Sequence, residues 1–319
     1  MVHDYEQKPF RIGPYELREN RPSDENLVEF AENLKRGFYK NRLVIFLGAG
    51  ASIGSLGGNS GEMPLPTAMA LRNELWERFM LPMGTTDFDF TQLGAMSLDQ
   101  ASAFAEVKAG RHAVAEFIAY RFRTAQPLWQ HAVLPFLNPR ALFTTNYDRL
   151  IEQGWRASQT KEEIVPIFAG KQQVVPNYIP LFKPHGSADR ALDAVGYGGP
   201  VITTIDYFEM LSDKKMLLDQ WLATVRGACV LFIGYSMSDM DIGAHLYSAR
   251  QKNDSIHWYA AFPRADTTVR KYWEGKLRIR PIDRGFAEFM KDLDEWVDFI
   301  PKEWKWEQIE QWRQQGAIQ

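Results

Sequence analysis

Four short polar segments, each directly after an apolar run, contain residue types that could bind a nucleotide. In chain order they hold residues 48–52 (GAGAS), Asn146 and Asp148, His185, and Gly234 and Ser236. Glycines let the backbone turn sharply and leave no Cβ between amides and a ligand, and a helix that begins at Ser52 would favour a pyrophosphate. An Asn amide orients a nucleophile without adding charge, and an imidazole that titrates near neutrality accepts a proton. Together these segments could bind the pyrophosphate of a nucleotide.

Each segment alone is a weak signal. The dinucleotide fingerprint is incomplete, because Ile53 stands where a third glycine is expected, and no Gly-Lys-Ser/Thr marks a triphosphate loop. A Gly-Ala-Gly after a strand is often only a tight turn. Asn146 and Asp148 are also good helix N-caps, and His185 between Pro184 and Gly186 is compatible with a simple turn. The functional interpretation therefore depends on the combination.

The apolar runs predict the strands that would position these segments. Strands are predicted at residues 43–47, 141–145, 179–183, 201–205, 229–233, 256–262 and 277–282. Helical patterns separate them, which is typical of an α/β protein with a Rossmann-like, doubly wound parallel sheet. Because ligands of such sheets bind beyond the carboxyl ends of the strands, the four polar segments are expected to lie together.

The same patterns predict the organisation of the chain. Residues 1–40 form an N-terminal arm and a helix capped by Ser23, and residues 286–319 a C-terminal helical segment. The Rossmann-like domain comprises residues 41–66 and 138–285, interrupted by a helical insertion at residues 67–137. Within the insertion, residues 101–122 show helical spacing, and residues 54–66 are rich enough in glycine to predict a mobile loop over the site. Asp206 and Glu209 are predicted as a capping pair for the helix that follows.

The composition excludes several classes of protein. A formal charge of −3 gives no indication of direct nucleic-acid binding, and no apolar run spans a bilayer or forms a signal peptide. We therefore expect a cytoplasmic protein with no membrane association. The single cysteine, Cys229, excludes an intramolecular disulfide and a Cys-rich zinc ribbon. His112 and His131 have no ligand-like partner nearby in sequence and are expected to be packed or surface residues.

The motifs LGAGAS, TTNYD, KPHGS and GYS, in this order after successive strands, resemble the sirtuin family over most of residues 40–285. The resemblance implies that NAD is the substrate. Gly48, Ala49, Gly50 and Ser52 would then lie at the pyrophosphate, and Gly234 and Ser236 at the adenosine half. Asn146 would position the nicotinamide ribose or an attacking water, Asp148 would meet the nicotinamide carboxamide, and His185 would be the general base.

The departures from the family pattern narrow the expectation. Deacylating sirtuins carry a four-cysteine zinc module, whereas this chain has one cysteine and a helical insertion in that region. Thr145 replaces the usual glutamine, and the loop after Ser52 lacks the Asp-Phe-Arg of the family. These features resemble the bacterial sirtuin-like branch that hydrolyses NAD, often in antiphage defence. A protein deacylase or ADP-ribosyltransferase, and a non-catalytic NAD or ADP-ribose sensor or scaffold, remain the alternatives.

The resemblance also bears on assembly. It implies a homo-oligomer and a companion ATPase of the HerA type. Two segments lie outside the region that resembles sirtuins: the arm before Ser23 and the tail with Trp296, Trp304, Trp306 and Trp312. They either pack on their own subunit or contact a neighbouring one, where buried Trp side chains are favoured. We expect them to help hold the oligomer.

The sequence shows no pattern of metal-binding residues. With one cysteine and no His pair at ligand spacing, the protein is expected to need no metal ion. Treatment with EDTA should therefore leave both the melting temperature and the release of nicotinamide from NAD unchanged. Stoichiometric zinc in elemental analysis of the purified protein would contradict this expectation.

Overall fold

The computed structural model of the protein describes residues 24–58, 61–81, 96–170, 172, 177–213, 215–237, 240–251 and 256–316. The predicted N-terminal arm lies outside the described residues, as does Ser23, the predicted cap of the helix that follows the arm. The first described helix begins instead behind Asp24, whose carboxylate accepts hydrogen bonds from the amides of Asn26 and Leu27.

The core of the protein is a seven-stranded parallel sheet. The described strands are β1 (Leu43–Leu47), β2 (Leu56–Gly57), β3 (Met63–Pro64), β4 (Ala141–Thr144), β5 (Glu163–Ile167), β6 (Tyr178–Phe182), β7 (Cys229–Ile233), β8 (Trp258–Ala261) and β9 (Ile279–Ile282). The sheet order is β5-β6-β4-β1-β7-β8-β9, and β2 and β3 form a separate antiparallel pair. The predicted Rossmann-like α/β class is therefore confirmed. The strand order reverses at β1, so the switch point lies between β1 and β7.

Helices cover both faces of this sheet. The described helices are α1 (Glu25–Lys35), α2 (Ala68–Phe79), α3 (Leu98–Ala109), α4 (Arg111–Phe122), α5 (Trp129–Ala132), α6 (Leu150–Ala157), α7 (Thr204–Asp213), α8 (Lys215–Val225), α9 (Met240–Gln251), α10 (Thr267–Tyr272), α11 (Phe286–Val297) and α12 (Trp306–Gln314). Alternate residues of β1 enter two separate cores: Leu43, Ile45 and Leu47 pack with α1, α5, α6 and α11, whereas Val44 and Phe46 pack with α8 and α9. Burial on both faces explains why β1 is a continuous apolar run.

Three predicted elements differ in the structure. Ser52 does not begin an α-helix; residues Ala49–Ser52 form a single 3₁₀ turn, and the chain continues into β2. The predicted strand at 201–205 is wrong, because α7 begins at Thr204. The Asp206 carboxylate does accept from the amides of Ile202 and Thr203, while the Thr203 hydroxyl accepts from the amide of Asp206. The helix start is therefore capped by Thr203 with Asp206, not by Asp206 with Glu209.

Two further differences have simple causes. The helical pattern of residues 101–122 is broken at Gly110, whose φ of 85° ends α3 and starts α4. Strand β5 was not among the predicted strands, because its sequence shows no apolar alternation and contains Pro166. The structure places β5 at the edge of the sheet, where a proline is tolerated because one side of the strand is unpaired. In the loop predicted to be mobile, the described residues include the paired strands β2 and β3.

The C-terminal tryptophans pack mainly on their own chain. Trp304, Trp306 and Trp312 contact the core beside β1, the Trp129 indole donates a 2.6 Å hydrogen bond to the Trp304 carbonyl, and Trp296 is 45% exposed. Of the two alternatives for the tail, packing on its own subunit holds for three of the four tryptophans. The domain boundaries stay predictions. No helix among the described residues is long and apolar enough to cross a membrane.

The loops that follow β1 and β7 pack backbone against backbone. The amide of Gly48 donates to the Ile233 carbonyl at 2.9 Å, and the amide of Gly50 to the Gly234 carbonyl at 2.8 Å. A Cβ on Gly50 would lie 2.8 Å from the Gly234 Cα, and a Cβ on Gly234, whose φ is 60°, would overlap the Ala51 nitrogen. Gly50 and Gly234 are therefore needed for the close contact between the two loops. The amides of Gly48 and Gly50, which were expected to face a ligand, donate instead to backbone carbonyls of residues 233 and 234.

A pair of alanine substitutions tests this contact. Gly227 also has a positive φ, of 67°, but nothing lies within 4 Å of its missing Cβ. Gly227→Ala should lower the free energy of unfolding by about 1–2 kcal/mol, the cost of the left-handed conformation alone. Gly234→Ala should cost a further ~2 kcal/mol, because the added methyl group overlaps backbone atoms. Urea unfolding measures both, and equal losses would show that the loops do not depend on this close approach.

Candidate functional site

A cavity of about 770 Å³ lies at the carboxyl ends of the central strands. All four predicted segments line it, through Ala49, Gly50, Ser52, Asn146, Asp148, His185, Gly234 and Ser236. Gly48 is the predicted site residue that is not part of the lining; its amide faces β7 instead. The structure thus brings together the polar segments that the sequence placed at separate strand ends.

The rest of the cavity lining comes from residues that were not predicted as site residues, although Thr145, Tyr147 and Tyr235 lie within the motifs TTNYD and GYS. Pro66, Ala68, Leu71, Ser97, Leu98, Asp99 and Phe122 line the cavity from the region around α2, α3 and α4, and Thr145, Tyr147, Tyr207 and Tyr235 line it from the sheet side and α7. These residue types are ordinary in helices and loops, so only the three-dimensional fold identifies them. The predicted helical insertion therefore contributes directly to the site.

Asn146 is held in a defined orientation by the ends of β4 and β1. The Thr144 hydroxyl donates to the Leu47 carbonyl at 2.8 Å and accepts from the Asn146 amide at 3.1 Å. The Asn146 side-chain nitrogen donates to the Gly48 carbonyl at 3.0 Å and to the Ser52 hydroxyl at 2.9 Å. Because both amide hydrogens are used, the side chain would act on a ligand through its carbonyl oxygen.

Asp148 is buried and continues the same chain of hydrogen bonds. Its carboxylate accepts from the Ser52 hydroxyl at 2.6 Å and from the Leu150 amide at 3.1 Å, which caps the start of α6. Ser52 therefore accepts from Asn146 and donates to Asp148. The resemblance assigned Ser52 and Asp148 to different parts of NAD, and the structure shows that the two side chains are bonded to each other.

His185 enters the cavity from the end of β6. It is only 4% exposed, and its ring packs edge-to-face against Tyr207, with centroids 5.3 Å apart and an interplanar angle of 83°. Its carbonyl accepts a hydrogen bond from the Val201 amide at 3.0 Å, which fixes the backbone after the strand. An imidazole so placed lies against the same cavity as Asn146.

His131 supports the glycine-rich loop from beneath. It is buried on α5, its Nδ1 accepts from the Leu128 amide at 3.1 Å, and it also bonds to the backbone of Ala51. Burial lowers the pKa of His131 to about 4, so the imidazole is neutral at physiological pH. The expectation that His131 is a packed residue is confirmed. No group of three or more potential metal ligands occurs among the residues that the structure describes.

The fold and the cavity define a Rossmann-like α/β protein with a nucleotide-sized pocket beside its switch point. Residues 140–282 match the family model for the SIR2-like domain, a range that includes Asn146, His185 and Gly234 but not the glycine-rich loop. This match supports a sirtuin-like family for the chain.

A solved structure of a Sir2 homologue in complex with NAD has 16% identity and a TM-score of 0.49, covering 91% of this chain and 98% of that one. A second, from work on the mechanism and regulation of Sir2 enzymes, has 12% identity and a TM-score of 0.47, covering 86% and 98%. No curated protein matches the chain.

The buried imidazole predicts a pH dependence of stability. The unfolded state binds a proton on His131 near its ordinary pKa of 6.5, whereas the native state does so only near 4. The contribution is therefore intact above pH 6.5 and is lost as the pH falls toward 4, by up to about 1.4 kcal/mol per pH unit. His131→Gln should remove this part of the slope, as measured by urea unfolding at several pH values in that window.

The matched control is His112→Gln, because His112 is exposed on α4. It should keep the slope of the wild-type protein. Parallel pH profiles for the wild type and His131→Gln would contradict the neutral, buried state of this imidazole.

Proposed function

We propose that the protein is an NAD⁺ glycohydrolase that cleaves the nicotinamide–ribose bond and transfers ADP-ribose to water. The observation that carries the proposal is the convergence of Asn146 and His185 with the glycine-rich loop and residues 234–236 on one cavity. The match of residues 140–282 to the SIR2-like domain supports NAD as the nucleotide.

The reaction proposed is NAD⁺ plus water giving nicotinamide, ADP-ribose and a proton. As the bond breaks, nicotinamide leaves with the electron pair, and the ribose carbon develops oxocarbenium character. The leaving group needs no acid, because the pyridinium nitrogen becomes neutral on departure. The Asn146 carbonyl oxygen accepts a hydrogen bond from the ribose or from the attacking water, and His185 takes the proton that the water loses.

The remaining cavity residues are proposed to bind the two halves of NAD. Ala49, Gly50 and Ser52 contact the pyrophosphate side, and Gly234 and Ser236 the adenosine half. Asp148 accepts from the nicotinamide carboxamide. The 2.6 Å bond from Ser52 to Asp148 gives Ser52 a second function, since it orients the carboxylate that meets the carboxamide.

Water is the favoured acceptor for two reasons. The chain has one cysteine, so the four-cysteine module of deacylating sirtuins has no counterpart. Pro66, Ala68 and residues 97–99 line the cavity from in and beside the predicted helical insertion, which occupies the region of that module. By the same resemblance, we propose that the protein is cytoplasmic, acts in bacterial antiphage defence by depleting NAD, forms a homo-oligomer and is accompanied by a HerA-type ATPase.

One assay separates this proposal from its alternatives. Purified protein is incubated with NAD, and nicotinamide, ADP-ribose and cyclic ADP-ribose are resolved chromatographically, with and without an acylated peptide. Hydrolysis gives nicotinamide and ADP-ribose in equal amounts without peptide. Turnover that requires the peptide would indicate a deacylase or ADP-ribosyltransferase, and binding without turnover a sensor or scaffold.

Substitution of the two proposed catalytic residues gives the corresponding prediction. His185→Ala should slow nicotinamide release by about 10²–10⁴-fold, because the general base is lost. Asn146→Ala should slow it by roughly 10²-fold, because the nucleophile is no longer oriented. His112→Ala, on the exposed surface of α4, serves as the control and should retain full activity. A folded Asn146→Ala/His185→Ala double variant with wild-type turnover would show that the assignment is wrong.

A further inference from the structure

A buried ammonium group lies directly behind the proposed catalytic residues. Lys183 follows β6, precedes His185 by two residues and is 0% exposed. Its Nζ donates to the Asp148 carbonyl at 2.6 Å, to a Glu152 carboxylate oxygen at 3.0 Å and to the Ser187 hydroxyl at 3.3 Å. All three ammonium hydrogens thus have acceptors, and the group has no access to a ligand. Lys183 is therefore neither a nucleophile nor a substrate-binding residue.

The acceptors of Lys183 belong to the two segments that carry Asn146 and His185. Asp148 lies two residues after Asn146, and Ser187 lies two residues after His185. Glu152 fixes the other side of the ammonium from α6. Lys183 consequently bridges the segment after β4 to the segment after β6.

The bridge extends to a second pair of charges. The Ser187 hydroxyl donates to the Asp189 carboxylate at 2.6 Å, and Asp189 pairs with Arg149 at 3.3 Å. Burial acts to raise the pKa of Asp189, but the bond from Ser187 and the charges of Arg149 and Lys183 outweigh it, so that the pKa lies below its usual range. The Ala188 amide also donates to the Tyr147 carbonyl at 2.8 Å, which makes this amide a reporter of how closely the segments stay together.

A gain in stability alone does not explain the buried ion pair between Lys183 and Glu152. Replacing a buried ion pair by apolar residues of similar volume is often neutral or stabilising. The second carboxylate oxygen of Glu152 is buried and has no hydrogen-bond partner among the described residues, so the pair is not fully compensated. What the pair does provide is a fixed geometry between two backbone segments.

We propose that Lys183, held by Glu152, is a positioning residue that sets the placement of Asn146 relative to His185. The inference rests on the proposed function, since that reaction needs both groups at one ribose carbon. Of the residues proposed to bind NAD, Lys183 contacts Asp148, through its backbone carbonyl, whereas the Asp148 carboxylate is held by the Ser52 hydroxyl and the Leu150 amide. Gly50 and Ser236, on the β1 and β7 side, are not among the hydrogen-bond partners of Lys183. The proposed NAD-binding groups should therefore keep their arrangement without Lys183. Loss of the bridge should therefore act on catalysis more than on binding.

The test replaces both charges at once, so that no lone charge is left buried. In Lys183→Met/Glu152→Met, kcat for nicotinamide release should fall by about 10–100-fold, because small misplacements of catalytic groups are costly. The KM for NAD should stay within about threefold of the wild type. The matched control is Arg284→Met/Asp292→Met, which removes an ion pair with a buried arginine beside α11, and it should leave both constants unchanged. An unchanged kcat, or a KM that rises as much as kcat falls, would overturn the proposal.

A second measurement does not depend on catalysis. Amide hydrogen exchange without NAD should be faster in residues 146–150 and 185–188 of the Lys183→Met/Glu152→Met variant, Ala188 included, and unchanged in β8. If the wild-type protein releases no nicotinamide, the proposed function fails, and the exchange of these two segments still decides whether Lys183 positions them. Unchanged exchange there would overturn the inference.

Ser187→Ala provides a milder variant if the double substitution does not fold. It removes one acceptor of the ammonium and leaves the Lys183–Glu152 pair in place. Faster exchange at Ala188 and a kcat lowered by roughly three- to tenfold are expected. Wild-type exchange and wild-type kcat in this variant would contradict the role of the bridge.

Discussion

The close approach of the loops after β1 and β7 is the constraint on which the rest of the site depends. The amides of Gly48 and Gly50 donate hydrogen bonds to backbone carbonyls at the end of β7 and in the loop after it. A side chain at Gly234 would overlap the backbone of the opposite loop. Because the loops are in backbone contact, their outer surfaces form one continuous floor at the switch point. Asn146 then bonds to the Gly48 carbonyl, so the geometry of the floor is passed to the proposed catalytic amide.

The polar groups of the site form a connected set rather than independent ligands. Asn146, Ser52 and Asp148 are joined by hydrogen bonds of 2.6–2.9 Å, and Asp148 is joined through its carbonyl to Lys183. In a buried network each member fixes the next, which favours one arrangement over several. Substitution of one member is therefore expected to affect its neighbours, and the effects of two such changes would not add.

The sequence predicted the parts of the fold that are decided locally. Strands β1 and β7 are continuous apolar runs because both faces are buried, and this pattern is visible without a structure. Strand β5 was missed because Glu163 and Pro166 leave it neither a continuous apolar run nor an alternating pattern, and its pairing with β6 is a property of the whole sheet. The helix predicted at Ser52 was wrong because the chain turns instead into β2, which pairs with β3.

The same division applies to the site. Glycine, Asn and His after strands were recognisable from residue type, and the cavity brings them together. Tyr207 and Asp99 line that cavity from helices distant in sequence, and no local pattern marks them. Lys183 would normally be taken for a surface residue, since lysines are seldom buried, and only the structure shows that Asp148, Glu152 and Ser187 surround it.

The four-residue helix α5 joins two parts of the chain that are far apart in sequence. On one side, Trp129 stacks edge-to-face on Trp306 and bonds to the Trp304 carbonyl; on the other, His131 bonds to the backbone of Ala51. Helix α5 thus contacts the C-terminal tail through Trp129 and the glycine-rich loop through His131. A change in the packing of the tail would therefore act first on a helix that also contacts the glycine-rich loop of the cavity.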